Sequence, residues 1–236
     1  MKVGIVGGIG PESTVDYYKS IIVEYQRKCH DGNYPRIVID SVNMTEMLSC
    51  VSAKDWNSLT DMLVKSMECL SMSGADFAVI ASNTPHVVFD RVRDKVGLQM
   101  LSIVEETCKK ARLLGLKRLG LFGTGFTMKE NFYRTAFADF GMDIVVPNID
   151  EQDYIHKKLF SEIEYGVIKN ETKYGLLSIA GRMCEEDGLD GLILGCTELP
   201  LILKDGEGMV PFLNTSQIHV ESIVERLAQA RDGAKS

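Results

Sequence analysis

Short apolar, β-branched segments recur along the chain with longer amphipathic stretches between them. They run Val3 to Gly7, Ile37 to Val42, Phe77 to Ala81, Arg118 to Phe122, Asp143 to Val146 and Gly191 to Leu194. This alternation predicts an α/β fold of parallel sheets with covering helices. The first helix is signalled by Pro11 at an early helical position, by the capping-box spacing of Ser13 and Asp16, and by Val15, Tyr18, Ile22 and Tyr25 on a 3.6-residue period. Helices near 55–73 and 172–187 are expected to end at left-handed caps on Gly74 and Gly188. A last helix, Thr215 to Ala230, carries Ile218, Ile223, Val224 and Leu227 on its apolar positions.

The rhythm repeats at a larger scale. Gly4-Ile5-Val6-Gly7-Gly8 opens one half and Leu119-Gly120-Leu121-Phe122-Gly123-Thr124 opens another, each a strand followed by a glycine turn and a helix. Each half then reaches a polar motif after an apolar run: Ala81-Ser82-Asn83-Thr84 in the first and Gly195-Cys196-Thr197-Glu198 in the second. Two similar α/β lobes follow, one of residues 1–100 plus 211–236 and one of residues 101–210, with the last helix returning to the first lobe. No low-complexity linker separates them, so they are expected to face each other closely. Ligands of open α/β sheets sit beyond the carboxyl ends of the strands, where both polar motifs fall.

Composition narrows the function without naming it. Hydrophobic residues make up 45% of the 236 and charged residues 25%, the balance of an ordinary globular protein. No apolar stretch has the length needed to cross a membrane, and the start Met1-Lys2-Val3-Gly4 reads as a first strand rather than a secretory signal. A net charge of -7 argues against a nucleic-acid footprint, which needs clustered Lys and Arg. Cys29, Cys50, Cys69, Cys108, Cys184 and Cys196 form no Cys-x-x-Cys pair and no Cys/His cluster at zinc spacing, so neither a disulfide framework nor a metal site is indicated and a reducing cytoplasm is the expected setting.

Chemistry concentrates at the turns. Gly7-Gly8-Ile9-Gly10-Pro11-Glu12-Ser13-Thr14 is a strand-to-helix turn, where backbone amides and the helix dipole favour an anion; glycines that merely permit a sharp bend explain it as well. It lacks the Gly-Lys-Ser/Thr of a P-loop and the third glycine of a dinucleotide fold. Gly123-Thr124-Gly125-Phe126-Thr127-Met128 repeats the logic, with a plain helix N-cap at Thr127 as the alternative. Cys196 lies directly after a central strand, where helix amides lower a thiol pKa; the other five cysteines fall in helices or, for Cys50, in a loop-like stretch. Ser82 holds the matching place, and a hydroxyl attacks or abstracts a proton only with a base beside it. His86 is the nearest candidate base, with a core hydrogen-bonding histidine as the alternative reading. Asn83 and Thr84 suit a carboxylate or a plain turn. Glu198 is a candidate to orient the thiol or move its proton, with a solvated carboxylate as the alternative. Lys129, Arg134 and Lys169 are candidate cations for a substrate carboxylate, with ordinary surface charge as the alternative.

Together, Gly7 to Thr14, Asn83-Thr84-Pro85-His86, Gly123-Thr124 with Thr127-Met128, and Gly195-Cys196-Thr197-Glu198-Leu199 resemble the aspartate/glutamate racemase family, collinearly over nearly the whole chain. The resemblance implies two pseudo-symmetric α/β lobes with the active site in the cleft between them, a homodimer, and racemisation without pyridoxal phosphate or metal by two opposed cysteines. It implies Cys196 as the second-lobe cysteine. Asn83, Thr84 and Thr197 match the residues that hold the amino acid, with Gly8 and Ile9 at the first turn and Thr124 facing them. Two departures stand out. Ser82 replaces the first-lobe cysteine, and Asn43-Met44-Thr45-Glu46-Met47 lacks the arginine that many aspartate racemases use for the distal carboxylate, a role left to Lys169. The expected activity is unequal racemisation of aspartate and/or glutamate, favouring L-substrates. A single-cysteine decarboxylase of the same superfamily and a non-catalytic amino-acid-binding protein are the competing readings.

Overall fold

A computed structural model of the chain describes residues 1–233; residues 234–236, the end of the expected first lobe, lie outside the described residues. The chain divides into two compact units, Met1–Glu106 with the segment from Ser216 onward, and Thr107–Thr215. The first unit contains β1 (Lys2–Gly7), α1 (Pro11–Cys29), β2 (Arg36–Ser41), α2 (Met44–Ser52), α3 (Trp56–Met72), β3 (Phe77–Ile80), a 3₁₀ turn (Thr84–Val88), α4 (Phe89–Arg93) and β4 (Gln99–Leu101). The chain leaves it along α5 (Ile103–Leu113). The second contains β5 (Arg118–Phe122), α6 (Gly125–Lys129), α7 (Phe132–Ala138), β6 (Asp143–Val145), α8 (Ile149–Ser161), a 3₁₀ turn (Ile163–Tyr165), α9 (Asn170–Asp187), β7 (Gly191–Leu194), α10 (Leu199–Ile202) and β8 (Phe212–Asn214). It ends at the start of α11 (Thr215–Gly233), which belongs to the first unit.

Each unit is built on a four-stranded sheet, in the order β2-β1-β3-β4 and β6-β5-β7-β8, with every neighbouring pair parallel. The two orders are the same order. β1 corresponds to β5 and β3 to β7, so the strands that precede the two polar motifs occupy equivalent positions. Both are fully buried, Phe77-Ala78-Val79-Ile80 and Gly191-Leu192-Ile193-Leu194, as central strands covered by helices on both faces must be.

In the first unit, Val3, Ile5, Phe77 and Val79 pack with Tyr17, Ile21 and Tyr25 of α1 and with Val220, Ile223, Val224 and Leu227 of α11. The last helix therefore completes the core of the first unit. In the second, Phe122, Leu192 and Leu194 pack with Ile155 and Leu159 of α8 and with Leu176, Ile179 and Met183 of α9. Removing one such side chain from water stabilises the fold by about 1.5–3 kcal/mol.

Three expectations are corrected, and two strands are added. The buried face of α1 is Thr14, Tyr17, Ile21 and Tyr25, while Val15 and Tyr18 are exposed. The periodicity was right and the phase was one residue out, a rotation of about 100°. The phase is set by two polar anchors, since the Thr14 hydroxyl accepts from the Gly8 amide and the Tyr17 hydroxyl meets His219. The helix starts from Gly10 with no side-chain cap, so Ser13 is a buried helical residue and not a capping serine. Cys50 lies in α2, which is capped by Asn43, and not in a loop. β4 and β8 are three-residue edge strands, too short to show a period.

Candidate functional site

One backbone hydrogen bond, made twice, places the two polar motifs equivalently. The Ala81 amide donates to the Val6 carbonyl at 3.0 Å, and the Gly195 amide donates to the Phe122 carbonyl at 2.7 Å. Val6 and Phe122 each stand one residue before the glycine of their turn, so Ser82 and Cys196 leave their sheets at the same point of the same architecture.

In the first unit the turn from β1 is held tightly. Gly8 has φ +81, and a Cβ there would lie 2.4 Å from the Val42 carbonyl oxygen, so only glycine fits. Its amide is engaged by the Thr14 hydroxyl at 2.8 Å, which in turn donates to the Gly10 carbonyl at 3.2 Å. Ile9 is buried beside it. Asn83 is buried, Ser82 and Thr84 are half-buried, and the Asn83 carbonyl accepts from the His86 amide at 3.0 Å. The His86 ring does not approach the Ser82 hydroxyl as a base. Its Nδ1 lies 2.9 Å from the Ser82 carbonyl and its Nε2 accepts from the Ile103 amide at 3.3 Å, so the core hydrogen-bonding reading is the correct one. Burial, reinforced by His219, pushes its pKa down to about 3, which keeps the ring neutral.

In the second unit Thr124, and not Thr127, caps α6, accepting from the Thr127 amide at 3.3 Å. The Gly125 amide donates to His156 Nδ1 at 3.2 Å. Cys196 is 7% exposed. Its thiol donates to Glu198 Oε2 at 3.0 Å, and the Thr197 hydroxyl donates to that same oxygen at 2.8 Å. Burial first, and the charge of Glu198 second, push the Cys196 thiol well above its ordinary pKa, with a smaller push from Glu164. Resting Cys196 is therefore a thiol beside a carboxylate, not the standing thiolate expected at a strand end. Glu164, on the 3₁₀ turn that packs against α10, is itself raised to about 7 by burial and by Glu198. Two carboxyl groups thus bear on one thiol. No signal in the sequence marks Glu164; only folding brings it there.

Lys169 is half-exposed and lies 3.1 Å from Glu162, which also binds Lys158 at 2.7 Å and accepts from Thr172. These partners, Lys158 first, hold the Glu162 carboxyl below the usual carboxylate range. Arg134 reaches Asn131, at 3.4 Å, and Lys129 sits in the last turn of α6. Among the described residues no group of three His, Cys, Asp or Glu side chains is placed to hold a metal ion, and no helix is long and apolar enough to cross a membrane.

The family model for Asp/Glu/Hydantoin racemase matches residues 6–223. An aspartate racemase homologue from Pyrococcus horikoshii is similar in structure, with TM-score 0.87 and 33% identity over 96% of this chain and 99% of that one. The broad specificity amino-acid racemase RacX of Bacillus subtilis is 24% identical over 94% of this chain and 96% of its own length. The glutamate racemase of Aquifex pyrophilus shares the fold, with TM-score 0.64 and 22% identity over 96% of this chain and 84% of that one.

Proposed function

We propose that this chain, which belongs to the Asp/Glu/Hydantoin racemase family and is an isomerase, racemises aspartate and/or glutamate with Cys196 and Ser82 as its two acid/base groups. The observation that carries the reading is the equivalence of those residues, each one position beyond the same hydrogen bond in the same sheet order. Racemisation requires one group to take the Cα proton and a second to return one from the other side.

The two groups are chemically unequal. Cys196 passes its proton to the Glu198 carboxylate 3.0 Å away and becomes the thiolate that abstracts from substrate; protonated, it is the acid that returns a proton. Ser82 has no such partner in His86, whose ring nitrogens are committed to two backbone groups. A hydroxyl without a base donates more readily than it abstracts. Turnover is therefore faster in the direction in which Cys196 abstracts; the resemblance to racemases with a hydroxyl at the first position, and not the chemistry of the pair, assigns that direction to the L-substrate. Gly8, Ile9, Asn83, Thr84, Thr124 and Thr197 hold the amino acid. Lys169 takes its distal carboxylate, since Lys158 and Thr172 keep Glu162 satisfied when Lys169 turns away.

The reaction needs neither pyridoxal phosphate nor metal in this reading, and the active chain is a cytoplasmic homodimer. Proton NMR in deuterium oxide with each enantiomer of aspartate and glutamate tests it: Cα exchange is expected for at least one L-substrate and is lost in Cys196→Ala. No exchange with any of the four substrates would overturn the reading. Ser82→Cys is expected to raise exchange from the D-enantiomer toward that from the L-enantiomer. The unpartnered hydroxyl at Ser82 favours a second reading, a decarboxylase that protonates a carbanion from the Cys196 side alone; release of carbon dioxide from a malonate-type acid, without Cα exchange on amino acids, selects it.

A further inference from the structure

Resting on the racemase reading, we infer that His86 is a positioning residue: a neutral Nδ1–H imidazole that pins the Ser82 to Thr84 turn against the start of α5. The hydrogen bonds assign the tautomer. A carbonyl oxygen only accepts and a backbone amide only donates, so the nitrogen facing Ser82 O at 2.9 Å carries the proton and the nitrogen facing Ile103 N–H at 3.3 Å does not. His86 grips the turn a second time through its own amide, which donates to the Asn83 carbonyl at 3.0 Å. Two successive carbonyls of the turn that carries the proposed acid/base hydroxyl thus end on one residue. The ring cannot swing away, because it is buried and stacked on Phe89 with centroids 4.9 Å apart and planes 6° from parallel.

The other end of this link is a junction held by a second imidazole. His219 of α11 lies with Nε2 3.1 Å from the Leu101 carbonyl and Nδ1 3.1 Å from the Tyr17 hydroxyl. Leu101 and Ile103 flank Ser102, so the two rings hold the residues on either side of the point where β4 becomes α5. The ionisable groups bearing on the pair are His86 and His219 themselves, Tyr17 of α1, and Glu106 of α5, which acts on His219. An imidazolium at His86 would set a donor against the Ile103 donor and open the link. The imidazole touches backbone and not the hydroxyl, so it acts by placing Ser82 and not by moving the proton.

Long-range proton-nitrogen NMR of the full chain with labelled histidine tests the link without any substrate. His86 is expected as the neutral Nδ1–H tautomer from pH 8 down to pH 5; an Nε2–H tautomer, or titration near the ordinary 6.5, would overturn the inference. In deuterium exchange of the substrate Cα, His86→Leu is expected to lower kcat by about 100-fold with KM held within about threefold. His86→Asn, which keeps a donor for the Ser82 carbonyl, should recover part of that loss. A folded His86→Leu protein with unchanged kcat, or with KM and not kcat affected, counts against the role. Should His86→Leu not fold, the tautomer and His86→Asn still decide. Should wild type exchange no substrate, the racemase reading fails and the tautomer result alone reports on the turn.

Discussion

The Cys196 thiol and the Glu198 carboxylate form a hydrogen-bonded pair at 3.0 Å, with Cys196 only 7% exposed. The pair has one mobile proton and two places to put it. Burial and the carboxylate charge both favour leaving it on sulfur, so the resting state is an acid whose conjugate base forms only when Glu198 accepts. That arrangement protects the thiol from adventitious reaction and ties its chemistry to its neighbour.

Glu198→Gln removes the charge that raises the thiol pKa after burial has done so. Alkylation of Cys196 by iodoacetamide at pH 8 is expected to accelerate, by about tenfold for each unit the pKa falls. Substrate Cα exchange should fall by about 100-fold, because the proton acceptor is gone. An alkylation rate equal to that of wild type would show that burial alone sets the thiol.

Glu164 makes stability depend on pH in the direction opposite to most carboxylates. Its folded pKa of about 7 lies above the ordinary 4.5, so the folded state binds its proton more tightly than the unfolded state does. The stabilisation is complete below about pH 4.5 and disappears as pH rises through 7. Glu164→Gln is therefore expected to have a higher Tm than wild type at pH 8, with the gap closing at pH 5. Thermal melts at the two values decide it; a constant difference would remove Glu164 from the group around Cys196.

The buried histidines act on the acid side. His86 and His219 fall to about 3 and about 4 from an ordinary 6.5, burial being the main cause for both. Their neutral forms stabilise the fold fully above 6.5, and that contribution is lost as pH drops toward 4. Each imidazole adds a slope of about 1.4 kcal/mol per pH unit in that window. Urea titrations at pH 7, 6 and 5 should show stability falling, and His219→Gln should make the fall shallower.

Gly8→Ala tests the turn that follows β1. The residue has φ +81, and the added Cβ would lie 2.4 Å from the Val42 carbonyl oxygen and 2.7 Å from the Ser41 hydroxyl. Strain and overlap together are expected to cost about 3 kcal/mol, seen as a lower urea midpoint. Gly32→Ala is a useful comparison, since it has a similar φ of +71 and open space around it, and should cost less.

Much of the fold was legible because strands and helices announce themselves locally. The long apolar runs became β1, β3, β5 and β7, and Gly74 and Gly188 took the left-handed conformations that their positions after helices require. The motif pair was legible for the same reason, since Ser82 and Cys196 each follow a fully buried run. The edge strands β4 and β8 were not, because pairing defines them, although β6, an edge strand of the same length, follows the expected run from Asp143.

By itself the sequence determined where the central strands and the long helices lie, that the architecture repeats, and that a thiol and a hydroxyl stand at matching strand ends. Those properties depend on side-chain type and spacing, which act over a few residues. Only the tertiary structure decided which face of α1 turns inward, that His86 serves the Ser82 carbonyl and Ile103 instead of the hydroxyl, and that Glu164 joins Glu198 beside Cys196. Proton affinity and hydrogen-bond partnership depend on burial and on charges brought together from distant parts of the chain, and neither exists until the chain has folded.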